Sequence, residues 1–472
     1  MAKLKTILKD TSKFRISYLV VLFFCNVAFI QIPAYICLAF LFCWGIYITY
    51  YNIRYRECLT KMRFCVWIIA FLGVNFLTML INMSISLPLN LLMLLHISIC
   101  FFTFYGVHTE GINIKLELYK IAKFIIYATS VLGLIGFAFM MCGIKFEYLW
   151  IKFIIYENRY TGVFINPNIL GFISVVSIFC CHIINKHDFL VQTKQKHISR
   201  IVIAICLFVD MISLLLCDSN ASIVLFICYI VVILVFNLFS MSVRVSKKQL
   251  FIRIVAVMCA FIYVAGAAFF TRAICQKAFS RLLAPQPITT TTAETIATTT
   301  TPITFTHENT NIDSGRIKLV KESIRLFRLS PVFGISNGNI IHYSQKYLTK
   351  TLSLSYHNND LHNGYLTILV STGVLGFCIF AIFGIRFAKH IASNLFKRQN
   401  AQSQDILPCL FAFCCAYLVY SLFEKALLYD ISFMVMWFWY IIGIASVYLN
   451  KYEPLVESHY MLRRHRLPRH MI

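Results

Sequence analysis

The stretch LHNGYLTILVSTGVLGFCIFAIFGI, from Leu361 to Ile385, runs 25 residues without a Lys, Arg, Asp or Glu. About 20 apolar residues in a helix cross the hydrocarbon of a bilayer, because each backbone polar group is bonded inside the segment. Eleven comparable runs accompany it: Ile16 to Ile30, Ile32 to Tyr50, Cys65 to Ser84, Leu87 to Gly106, Ile121 to Cys142, Ile169 to Ile184, Ile201 to Leu216, Ala221 to Phe239, Ile252 to Phe270, Ile406 to Phe423 and Ile431 to Leu449. The reading is an all-α, polytopic integral membrane protein of about twelve transmembrane helices, with a large extracytoplasmic loop between helices 9 and 10. Residues 1–270 hold helices 1 to 9, 271–360 form the loop, 361–450 hold helices 10 to 12, and 451–472 are a basic tail.

Composition agrees. Hydrophobic residues make up 59% of the chain and charged ones 13%, against about 25% charged in a soluble domain, and the mean hydropathy is +0.75. Most of the 43 Lys and Arg fall on one side of the runs, in the N-terminus, alternate short loops and the tail, whereas the short loops of the opposite side hold only Lys425. Basic residues are retained on the cytoplasmic side, so both termini are expected there. The net charge of +24 is thereby assigned to juxtamembrane loops that meet anionic lipid, not to nucleic acid. The first apolar run lacks a small-residue cleavage site and reads as an uncleaved helix. The 18 Cys lie mostly inside the apolar runs and show neither a disulfide framework nor zinc spacing.

The polar residues that could do chemistry gather in two longer outer segments. In RYTGVFINPNILGF, Arg159 to Phe172, Asn166 followed by Pro167 reads as an N-cap and first helical residue. The unpaired amides of that helix start attract anions, and Arg159, a short loop upstream, adds a planar charged fork; the bland alternative is an interfacial anchor beside a helix cap. In the second segment a tract from Thr289 to Thr306, rich in Thr, cannot bury a core. Beyond Gly315, Ile317, Val320, Ile324 and Phe327 repeat at helical spacing, with Lys318, Lys321, Arg325 and Arg328 on an adjacent face, which predicts an amphipathic helix on the outer membrane surface. Arg316 falls at the edge of the apolar stripe, away from the other bases.

The chain re-enters the membrane through SYHNNDLHNGYL, from Ser355 to Leu366. Asp360 is the expected N-cap, which places His362 in the first turn as a candidate general base. His362 as an interfacial anchor is the alternative, and for His357 the anchor is favoured. Asp210 is the one acidic residue read deep in the bilayer, where a bond to a neighbouring helix accounts for it and a carrier would need acids and bases facing one another.

Three groups of residues resemble the O-antigen ligase and Wzy-type polysaccharide polymerase superfamily: Arg159 before Gly162, Asn166, Pro167 and Asn168; Gly315 and Arg316 leading to Pro331 and Gly334; and His362, Asn363, Tyr365 and Leu366 before Gly373 and Gly376. Relatives often carry a Ser-Arg pair before the eighth span, where this chain has Ser219 and Asn220. The resemblance implies glycosyl transfer at the outer face of a bacterial cytoplasmic membrane, from an oligosaccharide on undecaprenyl diphosphate to a glycan or lipid acceptor. It implies His362, Arg159 and Arg316 as catalytic residues, Asn166, Asn168, Lys318, Arg325, Asn363 and Tyr365 as substrate contacts, and neither metal nor cofactor. A lipid-linked oligosaccharide flippase or other transporter is the competing class.

A cysteine placed at Thr298 in a Cys-depleted variant should react with an impermeant maleimide in intact cells; labelling only after permeabilisation would invert the topology.

Overall fold

The computed structural model describes residues 6–55, 58–106, 114–142, 146–148, 151–156, 159–186, 198–240, 247–282, 316–348, 361–397 and 406–450. His357, Asp360 and the Thr-rich tract lie outside them. In chain order the main elements are α1 (Thr11–Phe24), α2 (Gln31–Tyr55), α3 (Cys65–Ile81), α4 (Met83–Ile99, continued by a π-helical turn Cys100–Tyr105) and α5 (Ile114–Met141). Three strands follow, β1 (Phe146–Tyr148), β2 (Ile151–Tyr156) and β3 (Arg159–Gly162). The chain continues with α6 (Pro167–Ile184), α7 (Arg200–Leu216), α8 (Asn220–Ser240), α9 (Lys247–Leu282), α10 (Arg316–Leu329), α11 (Ile340–Tyr347), α12 (Gly364–Lys397), α13 (Leu407–Tyr420) and α14 (Phe433–Asn450).

A helix occupies the body of each of the twelve apolar runs. Among the described residues, seven helices are long and apolar enough to cross a membrane, and three shorter apolar ones accompany them. The protein is therefore a multi-spanning helical membrane protein. A small antiparallel sheet β1-β2-β3 is appended to this all-α architecture. Its β2 pairs Tyr156 with Arg159, so a strand carries Arg159 just upstream of α6.

Side-chain burial explains the packing. α6 is enclosed along nearly its whole length, with Phe172, Val176, Phe179 and Ile183 fully buried among α5, α7, α8 and α13. Aromatic residues fill the centre, including Trp437, Trp439 and Tyr417; Tyr417 stacks on Phe438 at 4.3 Å. On the side assigned to the cytoplasm, Arg15 of α1 bonds Glu117 of α5 through Nε and Nη2, each at 2.7 Å, and Nη1 donates to the Thr103 carbonyl at 3.2 Å. Both side chains are sealed from solvent. A buried charge is tolerated when it is paired and its remaining donors are taken up, as here.

Two membrane helices are interrupted, and one loop repairs both. α12 breaks at Gly373, where φ is +64° and ψ −170°, leaving amides and carbonyls without helical partners. The segment Pro331–Ser336 supplies them. Val374 N donates to Pro331 O at 2.8 Å and Leu375 N to Val332 O at 3.3 Å, while Ile335 N and Ser336 N donate to the Val370 and Ser371 carbonyls at 3.0 Å each. The approach requires glycine: a Cβ on Gly373 would collide with the Val332 carbonyl, and one on Gly334 with the Ser371 backbone. α4 contains Pro88 and a non-helical Ser86, because proline has no amide to donate and clashes with the preceding turn. Here Asn339 Oδ1 accepts from Ser86 N and from Asn90 Nδ2, both at 3.1 Å, and Asn90 Oδ1 accepts from Gly338 N at 2.7 Å. Irregular backbone buried in protein thus finds partners outside its own helix, as an apolar surrounding demands.

The amphipathic helix forms as expected, with its buried inward contact made by a residue outside the expected stripe. Leu326 is buried with Ile335, Ile340, Leu361 and Val370, and Ser323 lies on the same inward face. Ile317, Val320 and Ile324 are exposed, leaving that stripe clear of the protein, where a membrane surface would meet it.

Gly373→Ala should destabilise the protein by about 1–3 kcal/mol from backbone conformation alone, lowering the thermal midpoint in detergent. Gly384→Ala, where a Cβ meets nothing within 4 Å, should be neutral or stabilising. Equal midpoints for the two variants would dismiss the repaired break.

Candidate active site

Arg159 opens β3, and the residues after it pin that strand to the bundle. Tyr160 stacks on Phe137 at 5.3 Å, and the Val163 carbonyl accepts from Ala28 N at 2.9 Å. Three residues later α6 starts as its sequence dictates. Asn166 is extended, its side chain accepts from Asn168 N at 2.7 Å, and Pro167 takes the first helical position.

From this start a chain of polar side chains crosses one end of the bundle. Arg159 Nη2 donates to Asn168 Oδ1 at 2.7 Å, and its Nε to the Cys217 carbonyl at 3.1 Å. Asn168 Nδ2 donates to Glu424 Oε1 at 3.2 Å. Glu424 Oε2 lies 3.9 Å from His362 Nδ1, the carboxylate side chain being 10% exposed and the imidazole 43%. That last distance exceeds a hydrogen bond and is one of electrostatic contact. Glu424 is thus enclosed while His362 opens to solvent on one side, so the imidazole faces a carboxylate across one edge and leaves another accessible.

His362 itself is held in an unusual backbone state, with φ +46°, sparsely populated by residues other than glycine and a cost tolerated where surrounding contacts impose it. Those contacts are visible. Leu361 is in the small core with Leu326. On the other side Asn363 Oδ1 accepts from Tyr365 N at 3.0 Å and Leu366 N at 2.9 Å, so Asn363 caps α12. Asp360 is therefore not the cap, and His362 precedes the helix instead of lying in its first turn; the shorter reach of an Asx cap to the amides two and three residues ahead decides it. Asn363 Nδ2 also donates to Leu422 O at 2.9 Å, Tyr365 Oη to Leu418 O at 2.8 Å, and Gly364 N to Ser421 O at 2.8 Å. The start of α12 is bolted to the end of α13, just before Glu424.

The other expected site residues fall further apart. Arg316 is the first residue of α10, and its side chain lies outside the described set. Lys318 is exposed, and Arg325, 61% exposed, pairs with Glu322 at 3.0 Å. Neither has a described contact with the chain from Arg159 to His362. Glu424 was missed. Its signal was available, since Glu424 and Lys425 are adjacent charges in a short outer loop otherwise rich in apolar residues, and both are nearly buried. Among the described residues no three His, Cys, Asp or Glu side chains come together in a metal-holding group. Asp210 is fully buried on α7, with Ser177 of the neighbouring α6 as a side-chain partner of its carboxylate.

Residues 202–381 match the O-antigen ligase (Wzy_C) family. No curated protein matches the chain. The O-antigen ligase match supports a role in glycan transfer outside the cytoplasm. The matched region runs from α7 into α12 and includes Arg316 and His362, while Arg159, Asn168 and Glu424 lie on either side of it. Folding therefore brings Arg159, Asn168 and Glu424, from outside the O-antigen ligase match, into one chain of contacts with His362.

Glu424→Gln keeps the shape and an acceptor for Asn168 but removes the charge facing His362. Turnover in a glycan-transfer assay should fall by about 10²-fold with little change in donor KM; wild-type turnover would remove Glu424 from the base's surroundings.

Proposed function

We propose that this protein transfers an oligosaccharide from undecaprenyl diphosphate to an acceptor hydroxyl at the outer face of a bacterial cytoplasmic membrane. The observation that carries the reading is the continuous chain from Arg159 through Asn168 and Glu424 to His362. It joins a group suited to an anionic leaving group with a group suited to proton removal.

The chemistry follows from these side chains. His362 takes the proton of the acceptor hydroxyl as that oxygen attacks the anomeric carbon. The bond from the anomeric carbon to the diphosphate oxygen breaks, and undecaprenyl diphosphate leaves with the electron pair. Arg159 and Arg316 stabilise the charge gained by the diphosphate through paired N–H donors. Asn168, Asn166, Lys318 and Arg325 extend the polar surface offered to the donor, and Asn363 and Tyr365 hold the α12 start that carries His362. The arginines take the place of the divalent cation common in nucleotide-sugar enzymes, so no metal is required. Twelve crossings put both termini in the cytoplasm and α10 at the outer surface, with lipid, donor and a glycan or lipid acceptor as partners. The shortage of facing charges at mid-membrane depth argues against a flippase.

Purified variants assayed in detergent with a lipid-diphosphate oligosaccharide and excess chelator should separate the roles. His362→Ala should abolish transfer and keep donor binding, and Arg159→Lys and Arg316→Lys should each lose about 10² to 10³ in rate, because an ammonium lacks the bidentate fork. His357→Ala is the control. Near-normal turnover by His362→Ala would remove the base, and activity abolished by chelator would overturn the metal-free mechanism. Short lipid-linked repeats accumulating in a deletion strain would mark a polymerase, and full-length unattached chains a ligase.

A further inference from the structure

On α5 two columns of residues four apart run side by side: Tyr119, Lys123, Tyr127 and Val131, and Lys120, Phe124, Ala128 and Leu132. Residues at that spacing lie one above another on a helix. Each column therefore carries one lysine towards the start of α5 and apolar side chains beyond it. β3 packs near the other end of the helix, at Gly136, so the lysines stand at the end of the bundle away from Arg159.

Together with Phe24 of α1, these columns line a groove of about 700 Å³ on the flank of the bundle. Phe24 and Phe124 meet at 5.7 Å, which gives the groove an aromatic wall, and the small Ala128 leaves space between Phe124 and Leu132. Lys120 and Lys123 are exposed at its polar end, and no described carboxylate pairs with either. Glu117, the acid one turn earlier, is taken by Arg15 and sealed from solvent. The Lys123 ammonium lies 6.0 Å from the centre of the Tyr127 ring, an aromatic of the kind that settles at headgroup level.

Two like charges one turn apart beside hydrocarbon repel each other, and an anion between them removes that cost. The dimensions indicate what carries the anion. Lys120 and Leu132 are 12 residues apart, or ~18 Å of helix, and one leaflet supplies ~15 Å of hydrocarbon, half of the ~30 Å core. A phosphate at the lysines thus has one acyl-chain length of apolar groove beyond it, within a single leaflet. We propose that the groove holds an anionic glycerophospholipid, with its phosphate between Lys120 and Lys123 and one acyl chain along Phe124, Ala128 and Leu132. The lipid covers the seam between α1 and α5 beside the buried Arg15–Glu117 pair. The proposal is independent of the glycosyl-transfer reading.

Native mass spectrometry of the full-length protein, released from bilayers of phosphatidylglycerol and phosphatidylcholine with identical acyl chains, tests it. The wild type should retain phosphatidylglycerol in preference, and Lys120→Gln combined with Lys123→Gln should lower the ratio of the two retained lipids about 10- to 30-fold. Equal retention of both lipids by the wild type, or an unchanged ratio in the double variant, would overturn the proposal. Lys13→Gln combined with Lys389→Gln, two exposed lysines outside the groove, should keep the wild-type ratio; an equal fall there would reduce the effect to a diffuse attraction of basic residues for anionic lipid. Ala128→Trp fills the groove and spares both lysines, so it should reduce retention of both lipids, and wild-type retention would remove the acyl chain from the groove. The lysines are at the surface, so their result stands whether or not Ala128→Trp folds. Undecaprenyl phosphate at the same molar fraction should not displace the phosphatidylglycerol; displacement would give the groove to a polyprenyl lipid and overturn the assignment.

Discussion

The structure depends on the backbone pairing between the Pro331–Ser336 loop and the broken helix at Gly373. Within a bilayer an unbonded amide or carbonyl costs several kcal/mol, so a helix can break there only where another segment takes up the freed groups. The loop takes up two amides and two carbonyls and in doing so fixes its own depth. The same loop meets the kinked α4 through Asn339 and Asn90. It is thus clamped between two imperfect helices, and α10 before it and α11 after it inherit that position. Through Leu326 and Leu361 the clamp reaches the residue before His362.

The polar chain above this clamp alternates charge with neutral amide. Asn168 donates from one end of its amide and accepts at the other, so it can join a guanidinium to a carboxylate without carrying charge itself. Such a link joins the two charged groups while keeping them apart. The fully buried Arg15–Glu117 pair on the opposite side shows the contrasting case: direct contact, sealed from water, and suited to holding helices together.

Much of the site was legible because several of its signals are local. Asn166 and Pro167 act as cap and first residue in the structure as in the sequence, since capping depends on amides two or three positions away. The cap of α12 was misplaced by three residues because Asp360 and Asn363 are both competent caps, and only the docking of Asn363 on Leu422 distinguishes them. Ile317, Val320 and Ile324 of the α10 stripe stay exposed, while the buried inward contact is made by Leu326, which the stripe did not include: a helix at a membrane surface offers apolar residues both to protein and to lipid, and periodicity does not say which.

The sequence by itself determined that the chain spans a membrane repeatedly and where α6 begins, because apolar length and capping are properties of neighbouring residues. Only the tertiary structure decided that Glu424 faces His362 and that Arg159 reaches the Cys217 carbonyl. Asn168 and Glu424 are 256 residues apart and Arg159 and Cys217 are 58 apart. Pairings of that kind are set by which helix ends the packed core brings together, and no local pattern in the chain encodes them.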